Sequence, residues 1–570
     1  MTIHYTILIP LLPFLAGLTI GLLGSRVGEK VYRIGVLAQV FAFVIALQTL
    51  YEVTINGPIH INLLPSLSAG SGFLRFGLYV DRLSGVMMVL ITGISTIIHL
   101  FSRRYMQQER GFSRFYVLLG LTTSVLIFMV ASSNLLMLFI FWQLLSWLLY
   151  LLSYNYYHPP ALQGAFKTYT MLRVGDVAFL AGIVLAYSLY GTLDFPQIFI
   201  RAAEVPTTFS LWPGSRLEIS AVTAVTLLIF IGAMSKSAQF PMHMWLPASL
   251  YAPTPVHALL HAGIINAGGF LLNRLAPLYG LSPTILHVVF AIGALTALLG
   301  ACMMLIQNDI KKTLGYSTIG QMGFMIMECG MGAFALAIFH LIAHGLFKAT
   351  VFLGCGDVIH TARREPRSPP KNEAVETIEF SRLTWLTGFI TTLILPLVIL
   401  LAAHGVLKMP LGDSQGAMIF LFFSWVTSSQ VILSLYRLNA VSSWKVAGAM
   451  ILTLILAVFT YLLAGEAFTN FLYPAPGEAM HYFQAAALPG WLFDLLVAMA
   501  ALLITLVWVF FYANARGQHI LMPTWVNDLQ TRLYVLFMNN LYLDTLYLRL
   551  GQRVMRFTNR LDKRYLGWLP

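Results

Sequence analysis

Ile231-Gly232-Ala233-Met234-Ser235-Lys236-Ser237-Ala238-Gln239-Phe240-Pro241 is the stretch on which the fold turns. An apolar run that begins near residue 219 reaches a lysine, and a proline follows five residues later, with Pro247, Pro253 and Pro255 beyond it. Proline lacks a backbone N–H and clashes with the preceding turn, so a helix stops or kinks there. The pattern reads as a helix broken at membrane depth, whose freed carbonyls face a water-filled cavity rather than lipid. A charge at the centre of a span costs about 2.5–3.5 kcal/mol on insertion scales, which makes Lys236 a functional hypothesis by default. Desolvation penalises the charged form of a buried lysine, so such a residue can load and release a proton near neutral pH. The bland alternative is a lysine that snorkels from a helix end.

Composition agrees that the solvent is lipid. Of 570 residues, 58% are hydrophobic and only 10% charged, against about 25% charged in soluble domains. Mean hydropathy is +0.78. The net charge of +12 would raise nucleic acid for a soluble protein. Here Lys and Arg gather in loops between apolar runs, as the positive-inside rule requires, and no nucleic-acid partner is expected. Cys302, Cys329 and Cys355 show no CxxC spacing, so neither disulfides nor a cysteine metal site is expected. Met1-Thr2-Ile3-His4-Tyr5 lacks a basic n-region, and the first apolar run reads as a retained span.

Taking about 20 apolar residues per crossing, fifteen spans are expected near 5–24, 33–51, 80–101, 114–131, 133–153, 168–190, 219–247, 255–274, 284–305, 313–330, 334–356, 383–404, 417–436, 445–464 and 490–512. Loops holding Arg26, Lys30 and Arg33, then Arg103, Arg104, Arg110 and Arg114, then Lys311 and Lys312 fall on one face. Arg363, Arg364, Arg367 and Lys371 join them, as do Arg437 and Lys445, while 465–489 carries Glu466 and Glu478 with no Lys or Arg. The N-terminus is then outside and the C-terminus cytoplasmic, in a bacterial inner membrane. Residues 1–513 form the transmembrane domain and 514–570 a cytoplasmic tail. From about 541 to 566 the tail reads as a basic amphipathic helix that docks on the membrane face or on a partner.

Further ionisable residues stand where lipid should be. Arg173 and Asp176 share a helix face and can pair, with Lys167 earlier on the same segment. They either position that helix or, through Asp176, tune Lys236. His257 and His261 stand at i, i+4, and His340, His344 and Lys348 form a polar stripe at i, i+4, i+8. Paired histidines at this spacing suit a metal, but there is no HExxH and no third ligand. A hydrated proton path fits better, since imidazole both donates and accepts; satisfied core histidines are the bland reading. Asp309, Lys311 and Lys312 border a loop, Glu328 approaches a membrane edge, and His99 caps a span.

The motifs Asp81-Arg82-Leu83-Ser84, His99, Gly111-Phe112-Ser113-Arg114-Phe115 and Arg173-Val174-Gly175-Asp176 resemble the large antiporter-like subunits of respiratory complex I and Mrp antiporters. So do Gly232–Gln239, Pro253-Thr254-Pro255-Val256, Asp309-Ile310-Lys311-Lys312 and Phe339-His340-Leu341-Ile342-Ala343-His344, over about residues 60–360. The resemblance implies an all-α polytopic fold with two inverted five-helix repeats, each containing a broken helix with a central lysine. It implies that Lys236 is the first such lysine, and that His261, His340, His344 and Lys348 lie on the central polar axis. Two departures stand out. Where NuoL-type pumps carry a glutamate after the tryptophan of the fifth span, this chain has Gln143 in Phe141-Trp142-Gln143. The second break, Leu393-Ile394-Leu395-Pro396-Leu397, is followed by His404 and Gly405, with Lys408 a turn later, in place of the terminal lysine. The chain also stops after its basic helix, without the long lateral helix of the complex I subunit.

With these departures the chain is most similar to the DabB-type membrane subunits of two-component inorganic carbon pumps. That similarity implies a large zinc-containing, carbonic-anhydrase-like partner of DabA type, energised by cation flux through this chain. The expected path comprises Lys236, Asp176, His261, His340, His344, Lys348, Gln143 and His404, with Arg173, Lys167, His257, Lys408 and Asp309 as weaker members. It would carry H+ or Na+, with no catalytic residue, metal or cofactor in this chain. The rival readings are a proton-pumping subunit of a respiratory or hydrogenase complex, and a membrane scaffold that has lost transport.

Overall fold

Segments that are apolar around most of their circumference can satisfy their backbone in lipid only by becoming helices, and the computed structural model is built accordingly. It describes residues 4–63 and 76–364, interrupted at 108, 110, 156, 205–207 and 211–217, then 463–495 and 524–565, with isolated positions between 452 and 502. The expected spans 383–404, 417–436, 445–464 and 490–512 lie wholly or largely outside the described residues, as do the second break, His404 and Lys408. The helices are α1 (Leu8–Val27), α2 (Val31–Asn56), α3 (Arg82–Tyr105), α4 (Phe112–Val130), α5 (Leu135–Ser153), α6 (Pro159–Tyr190), α7 (Phe195–Glu204) and α8 (Ala221–Lys236). They continue as α9 (Trp245–Ala248), α10 (Thr254–Leu259), α11 (Ala267–Arg274), α12 (Ala276–Gly280), α13 (Pro283–Leu305), α14 (Ile310–Gly330) and α15 (Phe334–Arg364).

Among the described residues, nine segments are long and apolar enough to cross a membrane. Each expected span from 5–24 to 334–356 is occupied by helix, although α8 ends early, at Lys236. The fold is mostly rather than wholly helical. Strands β1 (Ile59–Asn62) and β2 (Gly77–Val80) pair antiparallel, Ile59 opposite Val80, and β3 (Thr208–Ser210) pairs with β4 (Glu218–Ser220). Such short pieces sit between helices and carry no hydropathy signal.

Burial is inverted relative to a water-soluble protein. Leu22, Val177 and Leu305 are 72%, 71% and 80% exposed, whereas Lys236 and His261 are fully enclosed. Helices approach one another over small residues, as membrane bundles do. A Cβ on Gly175 of α6 would lie 2.2 Å from the Ser235 Cβ of α8, and one on Gly323 of α14 would lie 2.3 Å from the Ala297 N of α13.

Contacts between loops sort the two ends of the bundle. At one end Arg103 lies over the Tyr32 ring at 4.6 Å, Arg114 donates to the Leu151 carbonyl at 2.8 Å, and the Tyr105 and Thr254 hydroxyls meet at 3.0 Å. The C-terminal helix, Leu543–Tyr565, joins through its first turns. Asp544 pairs with Lys167, and the Tyr547 hydroxyl donates to the Pro241 carbonyl at 2.5 Å. Just before that helix, the Tyr316 hydroxyl donates to Asn540. From 551 to 560 the helix is exposed, with Leu550, Val554 and Phe557 on one stripe and Arg549, Arg553, Arg556 and Arg560 beside it.

The opposite end is pinned by a charge cluster. Asp81 caps α3, accepting from Ser84 N at 2.9 Å, and takes bonds from Arg274 of α11 at 2.6 and 3.1 Å. Arg274 also donates to the Ser84 hydroxyl at 2.5 Å, which in turn donates to the Val130 carbonyl of α4 at 2.7 Å. Burial pushes the Asp81 carboxyl up. The Arg274 charge, with the bonds from Arg274 and Ser84, outweighs that and holds it below the ordinary carboxylate value. A carboxyl depressed in the folded state stabilises fully above its unfolded pKa, and that contribution is lost as pH falls through the folded value. Arg274→Met leaves Asp81 enclosed without its cation and should cost about 3 kcal/mol, the low end for a broken buried pair because Asp81 is not fully enclosed. Thermal unfolding of the detergent-solubilised protein checks this, and Asp81→Asn should flatten the acid limb of its stability profile.

Candidate functional site

The site begins where α8 stops. Pro241 cannot donate and disfavours helical backbone at Phe240, and Ala238 adopts a φ of +49°. The carbonyls freed by the break are met by protein. Trp245 Nε1 donates to the Ser235 carbonyl at 2.8 Å, and Gln239 Nε2 to the Ser237 carbonyl at 2.8 Å. The Ser237 hydroxyl donates across to the Ile265 carbonyl at 2.7 Å, tying the break to the next element. The expected cavity-facing carbonyls are thus partly capped by side chains.

Lys236 is 0% exposed and reaches α5 rather than a headgroup region, which excludes snorkelling. Its Nζ donates to the Ser146 hydroxyl at 2.5 Å and the Trp142 carbonyl at 3.1 Å, and lies 4.9 Å from the Trp142 ring centroid. Trp142 Nε1 donates to Asp176 Oδ1 at 2.7 Å. One indole therefore stands between the ammonium and the carboxylate. Arg173 pairs with the other Asp176 oxygen at 2.8 Å and lies over the Tyr169 ring. Asp176 is held by both groups, and the close approach at Gly175 brings it to the Lys236 side of α6.

The sequence puts Gln143 on the expected path with Lys236. Gln143 is half-buried and, among the described residues, makes no hydrogen bond with Lys236. The groups that do are Trp142 and Ser146, one helical turn apart on one face of α5. That i, i+4 spacing is visible in the sequence, but neither residue carries a charge that would single it out. Lys167 pairs with Asp544 of the C-terminal helix, away from Lys236. Asp309 caps α14, accepting from Lys312 N at 2.9 Å, which gives it a local structural task.

His257 and His261 do not share one regular helix. Between α10 and α11 the chain makes a π turn, Leu260–Ile264, with Ile265 N donating to Leu260 O at 3.0 Å. Asn266 Nδ2 donates to the loosened carbonyls of Ala262 and His261 at 3.0 and 3.3 Å. π turns inside helices recur at functional sites, and this one carries His261. The two rings are 6.1 Å apart, and His261 stacks on Phe352 of α15 at 4.4 Å.

On α15 the expected stripe is present. The His340 and His344 rings are 6.3 Å apart, and Lys348 donates to the Ser317 hydroxyl at 2.9 Å and the Leu314 carbonyl at 3.4 Å. His340 meets Glu328 through Nδ1 at 3.1 Å and Gln321 Oε1 through Nε2 at 2.9 Å. The sequence reading left Ser317, Gln321 and Glu328 out of the site, yet they follow helical spacing along α14 opposite the histidines. Among the described residues, neither ring nitrogen of His261 or His344 has a hydrogen-bonding partner, although both rings are buried. Among the described residues no three His, Cys, Asp or Glu side chains converge as a metal would need. The arrangement is a buried ammonium at a helix break, followed by imidazoles and a second ammonium in one interior, suited to passing a small cation or a proton.

The family model described as "NADH:quinone oxidoreductase/Mrp antiporter, TM" covers residues 132–428, and "NADH-Ubiquinone oxidoreductase (complex I), chain 5 N-terminus" covers 67–116. The chain is 40% identical over 560 residues to a probable inorganic carbon transporter subunit, DabB1, of Halothiobacillus neapolitanus, covering 97% of this chain and 98% of that one. It is 35% identical over 402 residues to an NADH-quinone oxidoreductase subunit L of Neisseria meningitidis, covering 69% of this chain and 58% of the relative. The Mrp complex of a Dietzia species aligns with a TM-score of 0.55 at 20% identity, over 100% of this chain and 63% of the other. An archaeal membrane-bound sulfane sulfur reductase gives the same score at 18% identity, and both show likeness of fold.

The bridging indole offers a direct check. Trp142→Phe keeps an aromatic face beneath Lys236 but takes the donor from Asp176. It should destabilise the protein by about 1–3 kcal/mol, the penalty for an orphaned buried polar group. Thermal unfolding in detergent reads this, and Asp176→Asn in the Trp142→Phe background should recover part of the loss.

Proposed function

The chain belongs to the NADH:quinone oxidoreductase/Mrp antiporter membrane-subunit family, and from that premise we propose that it is the cation-conducting subunit of an inorganic carbon uptake complex. The observation that carries this reading is Lys236, enclosed at a helix break and held by a hydroxyl, a carbonyl and an indole face instead of a carboxylate. A charge so placed is expensive unless its protonation is what the protein uses. The ion is the proton. It passes between Lys236 and His261, then along Lys348, His344 and His340, with Asp176 biasing Lys236 through Trp142. The His340 and His344 rings, 6.3 Å apart, leave room for about one bridging water, which transmits a hydrogen bond nearly as well as direct contact.

The carbon assignment rests on coverage. Similarity to the Halothiobacillus relative runs end to end, whereas the Neisseria relative aligns over 69% of this chain. On this reading the partner is a large DabA-type subunit that holds the zinc and performs CO2 hydration, while this chain carries out no covalent chemistry. Fifteen spans in two inverted repeats, an external N-terminus and a cytoplasmic tail from 514 complete the arrangement in the bacterial inner membrane. His404 belongs to the same path, with Lys408 as a weaker member. One observation favours a scaffold instead: Gln143 stands where NuoL-type pumps carry a glutamate, so direct charge exchange at that position is absent.

Lys236→Ala decides between conduction and anchoring. It should abolish growth of a carbonic-anhydrase-deficient host at ambient CO2 while the complex still copurifies. Proton flux in liposomes bearing the purified complex should fall to the protein-free leak. Wild-type growth of the variant with no flux above the leak in either protein would establish the scaffold, and wild-type flux in the variant would remove Lys236 from the path.

A further inference from the structure

We propose that Glu328 is the carboxylate with which His340 exchanges its proton, and that this pair forms the terminal station of the path at the hairpin end of the bundle. The inference rests on the conduction reading above and extends it to a residue that sequence reasoning set aside. Among the described residues, Lys236 makes no ion pair with a carboxylate. Among the described residues, the other buried carboxylate, Asp176, is committed to Arg173 and to the Trp142 indole, and the part-buried Asp81 is committed to Arg274. Glu328 pairs with neither lysine nor arginine among those residues; its ion partner is His340. A carboxylate in an apolar interior without a permanent cation is strongly penalised unless it is neutral or faces a proton-bearing group.

The geometry lets one proton decide the state of the pair. Both Glu328 oxygens lie near His340 Nδ1, at 3.3 and 3.1 Å, and the Gln321 amide oxygen faces Nε2 at 2.9 Å. An amide oxygen only accepts, so Nε2 keeps its hydrogen in both states. The remaining proton sits on Nδ1, giving imidazolium and carboxylate, or on a glutamate oxygen, giving imidazole and acid. As the N–H bond breaks an O–H bond forms, and the net charge of the pair is unchanged. A proton arriving from His344, the next ring along, or leaving to the exterior then raises or lowers that charge by one.

Position supports a terminal role. Glu328 lies in the last turn of α14 and His340 in the second turn of α15, near the loop that joins them. Their side chains retain 11% and 16% exposure, whereas His261 is sealed. Lys348 sits toward the other end of the stripe, against Leu314 and Ser317 in the first turns of α14. Among the described residues, the charged and titratable groups along this seam include His344 and Lys348 on α15, His261 of the π turn that packs on them, and Cys329 beside Glu328 on α14.

The test uses the complete complex in liposomes. Glu328→Gln preserves volume and leaves an amide oxygen to accept from Nδ1, so a purely structural pin would survive it. The expected result is a fall in proton flux of at least about tenfold, the factor that accompanies one pKa unit, with the complex intact. Glu328→Asp should restore part of the flux, because it restores an ionisable oxygen. In infrared difference spectra between acid and alkaline films, wild type should show a protonated-carboxyl stretch that Glu328→Gln lacks. Wild-type flux in Glu328→Gln, or an unchanged carboxyl band, overturns the proposal and leaves the conduction reading standing. Absence of any Lys236-dependent flux in wild type overturns both together.

Discussion

An ammonium enclosed in an apolar bundle must be solvated by the protein itself, and the architecture around Lys236 follows from that requirement. A hydroxyl at 2.5 Å, a carbonyl at 3.1 Å and an indole face at 4.9 Å replace the water shell. None of these neutralises the charge. The nearest carboxylate acts at one remove, through the far edge of the same indole. The break in α8, the glycine that lets α6 close on it, and the serine that ties it to the π turn all serve to hold that shell. A lysine solvated by neutral groups loses its proton more readily than one locked to a carboxylate, which is the property a translocating subunit needs.

Much of this was legible in the sequence because it rests on local patterns. Proline after Lys236 announced the break, apolar length announced the spans, and i, i+4 spacing placed His340, His344 and Lys348 on one stripe. Reading failed where the cause was not local. The partner of Lys167 is 377 residues away along the chain, and no periodicity points to Asp544. Gln143 drew attention because a charge was missing there, yet the α5 face toward Lys236 is set by Trp142 and Ser146. His257 and His261 look like one helical pair on paper. A π turn adds a residue between the two helical segments without changing the spacing of the letters, and only the backbone exposes it. Asp309 carries a charge and borders a span, but a cap needs only an oxygen at the first turn.

The same contrast separates fold from function. The antiporter-like frame follows from helix breaks, glycine contacts and buried charges, and relatives with different tasks share it. Here a serine and a tryptophan carbonyl attend the first lysine, and a glutamate stands at the far end of the histidine stripe. The carboxylate therefore stands beside an imidazole, while neutral groups surround the lysine.

The attachment of the C-terminal helix has a mechanical implication. Tyr547 grips the carbonyl of Pro241, five residues past Lys236, and Asp544 grips Lys167 on the helix that carries Asp176. Two short handles thus join the tail to both sides of the lysine's enclosure. A load applied to the tail, from lipid or from a docked protein, is delivered to the foot of the broken helix as leverage. The lever arm beyond those handles is about 18 residues, roughly 27 Å at helical rise.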